Sequence, residues 1–247
     1  MNFVPEISVV IPVLQEDTAL RSLLPDLVSF PPSTEFLFVS DGPAPIEWNP
    51  DLQQAGLGER CVWHQSQTGR ALQMNLGAEV ARNPYLLFLH ADSRLSLQSV
   101  DRFLDSLQTA PRALHYFDLE FQQQSFFLMR LNCWGVYFRS HCLGMPFGDQ
   151  GLCLRRDLFF ELGKYDETAA YGEDHLLVWK ARQHGIRLKC NGAVIQTSAR
   201  KYREQGWCKV TCKHLWLTFC QAAPQFLLLI KERICAWFRC RAQSPSS

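Results

Sequence analysis

The stretch Leu86-Leu87-Phe88-Leu89-His90-Ala91-Asp92-Ser93-Arg94 constrains this chain more than any other. Its consecutive apolar residues predict a strand buried on both faces, which requires a sheet covered by helices on each side. In open α/β sheets, ligands collect just beyond the carboxyl ends of such strands. Asp92 falls there, two residues after His90, so both side chains face one crevice if the chain stays extended. A carboxylate so placed suits a hard divalent cation, which can in turn hold a diphosphate. It equally suits the start of a turn or a helix cap.

The rest of the chain has to choose between these. Its 247 residues fit one large domain or two small ones, and 47% of them are hydrophobic, enough for a substantial core. A formal net charge of +1 leaves no basic footprint for a nucleic-acid partner. The 10 cysteines are scattered, with no C-x-x-C pair and no zinc-type Cys/His spacing. Reduced, buried thiols in a cytosolic protein explain them. Met1 to Glu6 lack the basic region of a signal peptide, and no stretch approaches the ~20 apolar residues needed to span a bilayer. A cytoplasmic protein is expected.

Taken in order, Ile7 to Ile11 predict a strand ended by Pro12. From Glu16, the residues Leu20, Leu23, Leu24, Leu27 and Val28 recur at helical spacing. Glu35 to Ser40 form a second strand that runs into Asp41-Gly42-Pro43, and residues 43–58 read as a loop. After a short strand at Cys61 to His64, Thr68-Gly69-Arg70 opens a helix with Leu72, Leu76 and Val80 on its inner face and Ala71 and Ala78 beside it. Arg70 there either adds charge to an anion site or is a solvated surface residue. Leu97 to Leu107 predict a helix, and the alternation from Leu114 to Phe121 predicts an antiparallel strand and hence a mixed sheet. Residues 125–143 read as an aromatic helix. Phe147-Gly148-Asp149-Gln150-Gly151 reads as a tight loop that either approaches a ligand or merely turns. A strand at Leu152 to Leu154 and a helix from Asp157 to Leu162 follow it. Glu173 and Asp174 stand at the start of a helix running from Leu176 to His184, where acids also serve as caps. Val194-Ile195 is read as the last strand, followed by the cations Arg200, Lys201 and Arg203, a solvated face or an anion clamp. Trp207 to Phe238 are helical in pattern, basic and aromatic, with a break expected at Pro224.

Together these pieces resemble the glycosyltransferases of family two. The resemblance rests on Ser8 to Pro12 with Glu16, Ser40-Asp41-Gly42, Gly69-Arg70-Ala71, the acid after the buried strand, and Glu173-Asp174. Longer strings, Gly69 to Asn75, Leu89 to Asp92, Phe147 to Gly151 and Thr197 to Arg200, look like a bacterial subgroup of radical-SAM/selenodomain-associated or arsenosugar-biosynthesis transferases. The family implies a GT-A fold, a mixed but mostly parallel sheet flanked by helices. Residues 1–206 would form that domain, 207–240 an amphipathic helical segment and 241–247 a disordered tail. The resemblance also implies roles. Pro12 and Glu16 would border the nucleotide, Asp41 would bond its base, and Arg70 would lie near base or diphosphate. Asp92 would bind Mn²⁺ or Mg²⁺ as the last acid of the DxD motif. Asp174 would be the general base, with Asp149 and Glu173 in reserve and Gln150 beside them. Arg200 and Arg203 would help to hold the diphosphate. His90 departs from the family pattern by replacing the first acid of DxD, and imidazole suits Mn²⁺ better than Mg²⁺.

The reaction expected is transfer of a sugar from a nucleotide-diphosphate donor to an acceptor hydroxyl, with inversion and a carboxylate base. No nucleophile elbow, P-loop, G-x-G-x-x-G or H-E-x-x-H occurs in the chain. Nucleotidyl transfer lacks its glycine- and lysine-rich first loop. The remaining alternative is a catalytically inactive nucleotide-sugar-binding or membrane-docked protein. Residues 207–240 would then meet a membrane surface or a second copy, and otherwise pack back on the domain.

Overall fold

A computed structural model describes residues 4–14, 19–46, 48–122 and 127–242, with the side chains at 201, 232–233 and 235–242 excepted. The first strand, β1 (Ile7–Val13), divides its side chains between two cores. Ile7, Val9, Ile11 and Val13 face one and Val10 the other, which is why the segment is apolar on both sides. The helix α1 (Leu20–Leu27) buries Leu20, Leu23, Leu24 and Leu27 as its spacing predicts, whereas Val28 follows the last turn and is exposed. Glu16 lies outside the described residues.

After β2 (Glu35–Ser40), the segment expected to be a loop contains α2 (Trp48–Gln54). Proline and glycine mask it in the sequence. What holds it is Trp48, whose buried ring meets Phe38 at 4.6 Å and Trp63 of β3 (Cys61–Gln65) at 4.9 Å between centroids. In α3 (Arg70–Val80) the buried face also differs from expectation. Leu72, Leu76 and Val80 are half-buried, while Gln73, Met74, Asn75 and Gly77 turn inward together with Ala71 and Ala78, which are buried as expected. The two buried amides are satisfied by backbone. Gln73 donates to the Val13 carbonyl at 3.2 Å, and Asn75 both donates to and accepts from the Tyr165 backbone at 3.0 Å. Hydrogen bonds and small residues therefore outweigh hydrophobicity in choosing the face.

The organising strand is β4 (Tyr85–Phe88). A two-residue strand unforeseen in the sequence, β5 (Arg94–Leu95), precedes α4 (Leu97–Thr109), whose N-terminus is capped by Ser96 accepting from the Ser99 N–H at 3.1 Å. Next come β6 (Leu114–Phe121), α5 (Phe127–His141), β7 (Leu152–Arg155), α6 (Arg156–Glu161) and α7 (Glu173–Gln183). The last strand, β8 (Leu188–Thr197), is longer than expected, and α8 (Arg200–Gln205) and α9 (Trp207–Ala242) follow it.

The sheet has eight strands in the order β3-β2-β1-β4-β7-β6-β8-β5. β3, β2, β1 and β4 are parallel. β7 runs against both β4 and β6, β6 and β8 are parallel, and β5 is antiparallel to β8, so the sheet is mixed as expected. One core joins α1, α2 and α4 to the sheet; the other joins α3, α6 and α7. β1 lies between β2 and β4, so the strand order reverses there and a crevice opens at the carboxyl ends.

The break expected at Pro224 is absent, and α9 runs through it as one helix. Proline removes a hydrogen bond to the carbonyl of Cys220, an exposed residue, where solvent can take its place. The helix touches the domain through Leu229, packed with Met145 and Trp179, and leaves Leu215, Trp216, Phe219, Leu227 and Leu228 exposed. Among the described residues no helix is long and apolar enough to cross a membrane.

Candidate active site

A cavity of about 430 Å³ lies at the strand-order reversal. Pro12 and Leu14 line it from the end of β1, Thr68, Gly69, Arg70 and Gln73 from the start of α3, and His90, Ala91 and Asp92 from the end of β4. The chain does not stay extended after β4. It turns, with the Ser93 N–H donating to the His90 carbonyl at 3.1 Å, and the turn still directs His90 and Asp92 to the same cavity. Asp92 Oδ2 accepts from Thr197 Oγ1 at 3.1 Å, which ties the turn to the end of β8.

Arg70 connects the cavity to the acidic residues behind it. Its Nε lies 3.3 Å from Glu173 Oε1, and its Nη2 lies against His90 Nε2. A guanidinium can only donate, so Nε2 is the acceptor and the neutral ring carries its hydrogen on Nδ1. Burial, and then the charge of Arg70, hold His90 well below its ordinary range, in agreement with that tautomer.

The loop at residues 147–151 forms a single 3-10 turn, Gly148–Gln150. The N–H of Gly148 donates to Asp174 Oδ2, and the N–H of His175 donates to Asp174 Oδ1 at 2.9 Å. A side chain at 148 would displace the two charged groups, because its Cβ would come within 2.6 Å of Asp174 Oδ2 and 2.9 Å of Arg70 Nη2. Gln150 is buried and spends both ends of its amide inside the protein. Its Oε1 accepts from Ser140, Arg139 and the Phe147 N–H, and its Nε2 donates to the Phe117 carbonyl.

Asp149 is the anomaly of the cluster, because its buried Oδ1 has no hydrogen-bond partner. Burial raises its carboxyl above the usual range; Arg139 opposes this, and the nearby Asp174 adds to it. Arg139 itself was not singled out by the sequence. It comes from α5, its guanidinium stacks over Phe147 at 3.4 Å, and its buried Nη1 also lacks a partner. An arginine inside an aromatic helix reads as a surface residue from its neighbours alone; only the fold turns it inward. Asp41, at the end of β2, accepts from Thr68 Oγ1 at 3.1 Å through Oδ2, while its buried Oδ1 is unpartnered. Such orphaned buried atoms are costly unless a ligand completes them.

The fold thus brings Pro12, Arg70, His90 and Asp92 to one cavity, with Glu173 tied to Arg70 and through it to the Asp149–Asp174 cluster. Arg200 and Arg203 do not line that cavity; both are exposed on α8, and Arg200 lies 3.9 Å from Glu204.

Among solved structures, the chain is similar to the mannosyltransferase PcManGT from Pyrobaculum calidifontis in complex with GDP-Man and Mn²⁺. The two superpose with a TM-score of 0.68 at 13% identity, over 99% of this chain and 77% of that one. It is also similar to S. aureus TarS 1–349, with a TM-score of 0.60 at 17% identity over 78% of this chain and 60% of that one. The same fragment in complex with UDP-GlcNAc gives 0.60 at 17%, over 78% and 58%. At these identities the likeness is one of fold. No curated protein sequence matches the chain. The family model described as Glycosyl transferase family 2 matches residues 8–149, more than half of the sequence, and the protein belongs to that family.

Proposed function

We propose that this protein transfers a glycosyl unit, with inversion, from a nucleotide-diphosphate sugar bound in the cavity between β1 and β4 to an acceptor hydroxyl. The observation that carries the reading is the convergence of Arg70, the α3 N-terminus and Asp92 on one cavity, backed by the carboxylates Asp149 and Asp174. Structures of similar fold hold GDP-Man with Mn²⁺ and UDP-GlcNAc. Within family two, the likeness of the strings Gly69 to Asn75 and Phe147 to Gly151 to those of the radical-SAM/selenodomain-associated subgroup supports membership there.

In this reading the unpartnered Oδ1 of Asp41 accepts an N–H from the base. The diphosphate lies against Arg70 and the N-terminus of α3, where a guanidinium and helix N–H groups stabilise the charge that builds on the leaving group. A divalent cation fits as one shared with the donor's phosphates. Such ions are held by one or two carboxylates plus substrate oxygens, and Asp92 supplies a carboxylate at the cavity. It would add positive charge beside the diphosphate. His90 joins it only if Arg70 leaves Nε2.

The acceptor's proton goes to a carboxylate within hydrogen-bond reach. Asp174 is the assigned base. Its two backbone donors orient it and occupy both oxygens, whereas Asp149 has an open oxygen and a raised carboxyl range. Asp149 is therefore the specific rival for the same role. The other reading, a binding protein without turnover, draws support from Arg70 occupying the nitrogen that would replace the first DxD acid.

The test is release of UDP or GDP from a panel of UDP- and GDP-sugars with Mn²⁺, water standing in for the acceptor, on wild type, Asp149→Asn and Asp174→Asn. Nucleotide binding is followed in parallel by thermal shift. The base variant should lose about 10²–10⁴-fold in turnover while still binding nucleotide. Binding without release in the wild type leaves the inactive reading standing. Equal turnover in all three proteins removes both carboxylates from the role.

A further inference from the structure

A second group of side chains, apart from the donor cavity, has the composition of a metal site. Asp118 on β6, His141 at the end of α5 and Cys190 on β8 bring a carboxylate oxygen, an imidazole nitrogen and a sulfur within 4.8 Å of one another. His141 Nε2 lies 2.7 Å from Asp118 Oδ1, and Cys190 Sγ lies 3.4 Å from Asp118 Oδ2. Around a tetrahedral ion with bonds of about 2.0–2.3 Å, neighbouring ligand atoms stand about 3–4 Å apart. The two contacts to the Asp118 carboxylate, one to each oxygen, are close to those separations, and the three ligand atoms all lie within 4.8 Å of one another.

The backbone is shaped to produce this meeting. β6 and β8 are in register at Tyr116 and Cys190, but Asp118 pairs with Val194, so β8 bulges over the intervening residues. Gly192 takes a positive φ of 70° in the bulge, and Asn191 Oδ1 accepts from the Ala193 N–H at 2.9 Å to hold it. Bulges re-aim side chains, and this one leaves Cys190 facing Asp118. His141 is fixed from two sides, with Tyr137 stacked on its ring at 4.0 Å and Tyr116 edge-on at 5.9 Å between centroids.

We propose that Asp118, His141 and Cys190 bind a borderline-soft divalent cation of the Zn²⁺ class, which pins α5 to β6 and β8. A mixed sulfur, nitrogen and oxygen set selects such a metal over Mg²⁺ or Ca²⁺. The thiol now donates to Asp118, so its proton is released to solvent as the sulfur becomes a ligand. Arg139 stands two residues before His141, and Asp118 and Gln150 border one cavity of about 420 Å³. An ion here would therefore steady the helix that carries Arg139 toward Asp149. The inference does not rest on the transferase reading, because neither the cluster nor its occupancy depends on a donor.

The experiment is Co²⁺ titration of the reduced full-length protein, followed by absorption spectroscopy and displacement with Zn²⁺. Wild type should show a sulfur-to-cobalt charge-transfer band that saturates at one equivalent and is bleached by Zn²⁺. Cys190→Ser should lack that band, and His141→Gln should bind Co²⁺ at least about tenfold more weakly. Zn²⁺ should raise the melting temperature of wild type and not of Cys190→Ser. A cooperative urea transition and an unchanged far-ultraviolet circular dichroism spectrum show that the variant is folded. Absence of the band in wild type, or a band unchanged in folded Cys190→Ser despite the other nine cysteines, overturns the proposal.

Discussion

The two halves of the sheet are built by different rules. In the half formed by β1 to β4 the strands run parallel, β1, β2 and β4 are largely buried on both faces under helices, and burial accounts for where those strands lie. In the half formed by β6 to β8, strand directions mix, β8 bulges, and a histidine is buried under α4. Arg139, Asp149 and Asn191 there have buried atoms without partners, and α5 exposes Phe127, Trp134 and Tyr137. Hydrophobic pattern determines the central strands of the first half. The second is arranged by particular buried polar groups.

The largest expected effect tests the buried polar character of the second half. His115 is fully buried, with Nδ1 3.0 Å from Ser106 Oγ and Nε2 2.9 Å from the Ala110 carbonyl. Burial, opposed by the Ala110 hydrogen bond, lowers its pKa to about 4 from the ordinary 6.5. The folded pKa is the lower one, so the unfolded chain binds more protons between the two values. The neutral, folded form is favoured in full above pH 6.5, and this stability is lost as pH falls toward 4. The span corresponds to about 3 kcal/mol. Urea midpoints measured from pH 7 to pH 4 should fall in the wild type and fall less steeply in His115→Gln. His175, also lowered by burial, keeps the variant's curve from becoming level. An unchanged slope in His115→Gln would mean that the second half carries no such liability.

Gly77→Ala tests the first half. A Cβ on Gly77 would lie 2.3 Å from Val10 Cγ1 and 3.3 Å from Val10 Cβ. Rotating Val10 cannot relieve the second contact, and Val10 sits in the centre of β1. The helix must lift from the strand, at a cost of about 2 kcal/mol. The check is a urea midpoint lowered at every pH, and a midpoint within error of wild type would show that α3 is not pressed against β1.

That contact also marks how much the sequence could disclose. The apolar runs at 9–11, 36–39 and 86–89 specify three strands because a two-sided sheet admits little else there. Pro12, Arg70, His90 and Asp92 follow from those strands, since a residue just past a strand end, or at the start of the helix feeding it, is placed once the strand is. Asp41, just past β2, follows in the same way. The inner face of α3 was misread because Gln73, Asn75 and Gly77 owe their burial to hydrogen bonds and close approach, which a hydrophobic period does not register. α2 was missed because it rests on Trp48 meeting Trp63 and Phe38, partners distant in sequence. Arg139 and the Asp118–His141–Cys190 group escaped for the same reason. Their members come from different elements with no fixed spacing, and only the bulge in β8 and the inward turn of α5 bring them together.

The smallest effect repeats the glycine test where the opposite sign is expected. Gly135 lies in the middle of α5, and a Cβ there meets nothing within 4 Å. With no clash to oppose it, Gly135→Ala removes backbone freedom from the unfolded chain and adds helix propensity, worth about 0.5–1 kcal/mol of stabilisation. The urea midpoint should therefore rise slightly, by the same measurement in which Gly77→Ala lowers it. If α5 instead lies against a partner through its exposed aromatic residues, the added methyl would meet that surface and the gain would disappear at high protein concentration. A gain independent of concentration leaves α5 packed only on its own sheet, held there by β6 and by the side chains of Asp118, His141 and Cys190.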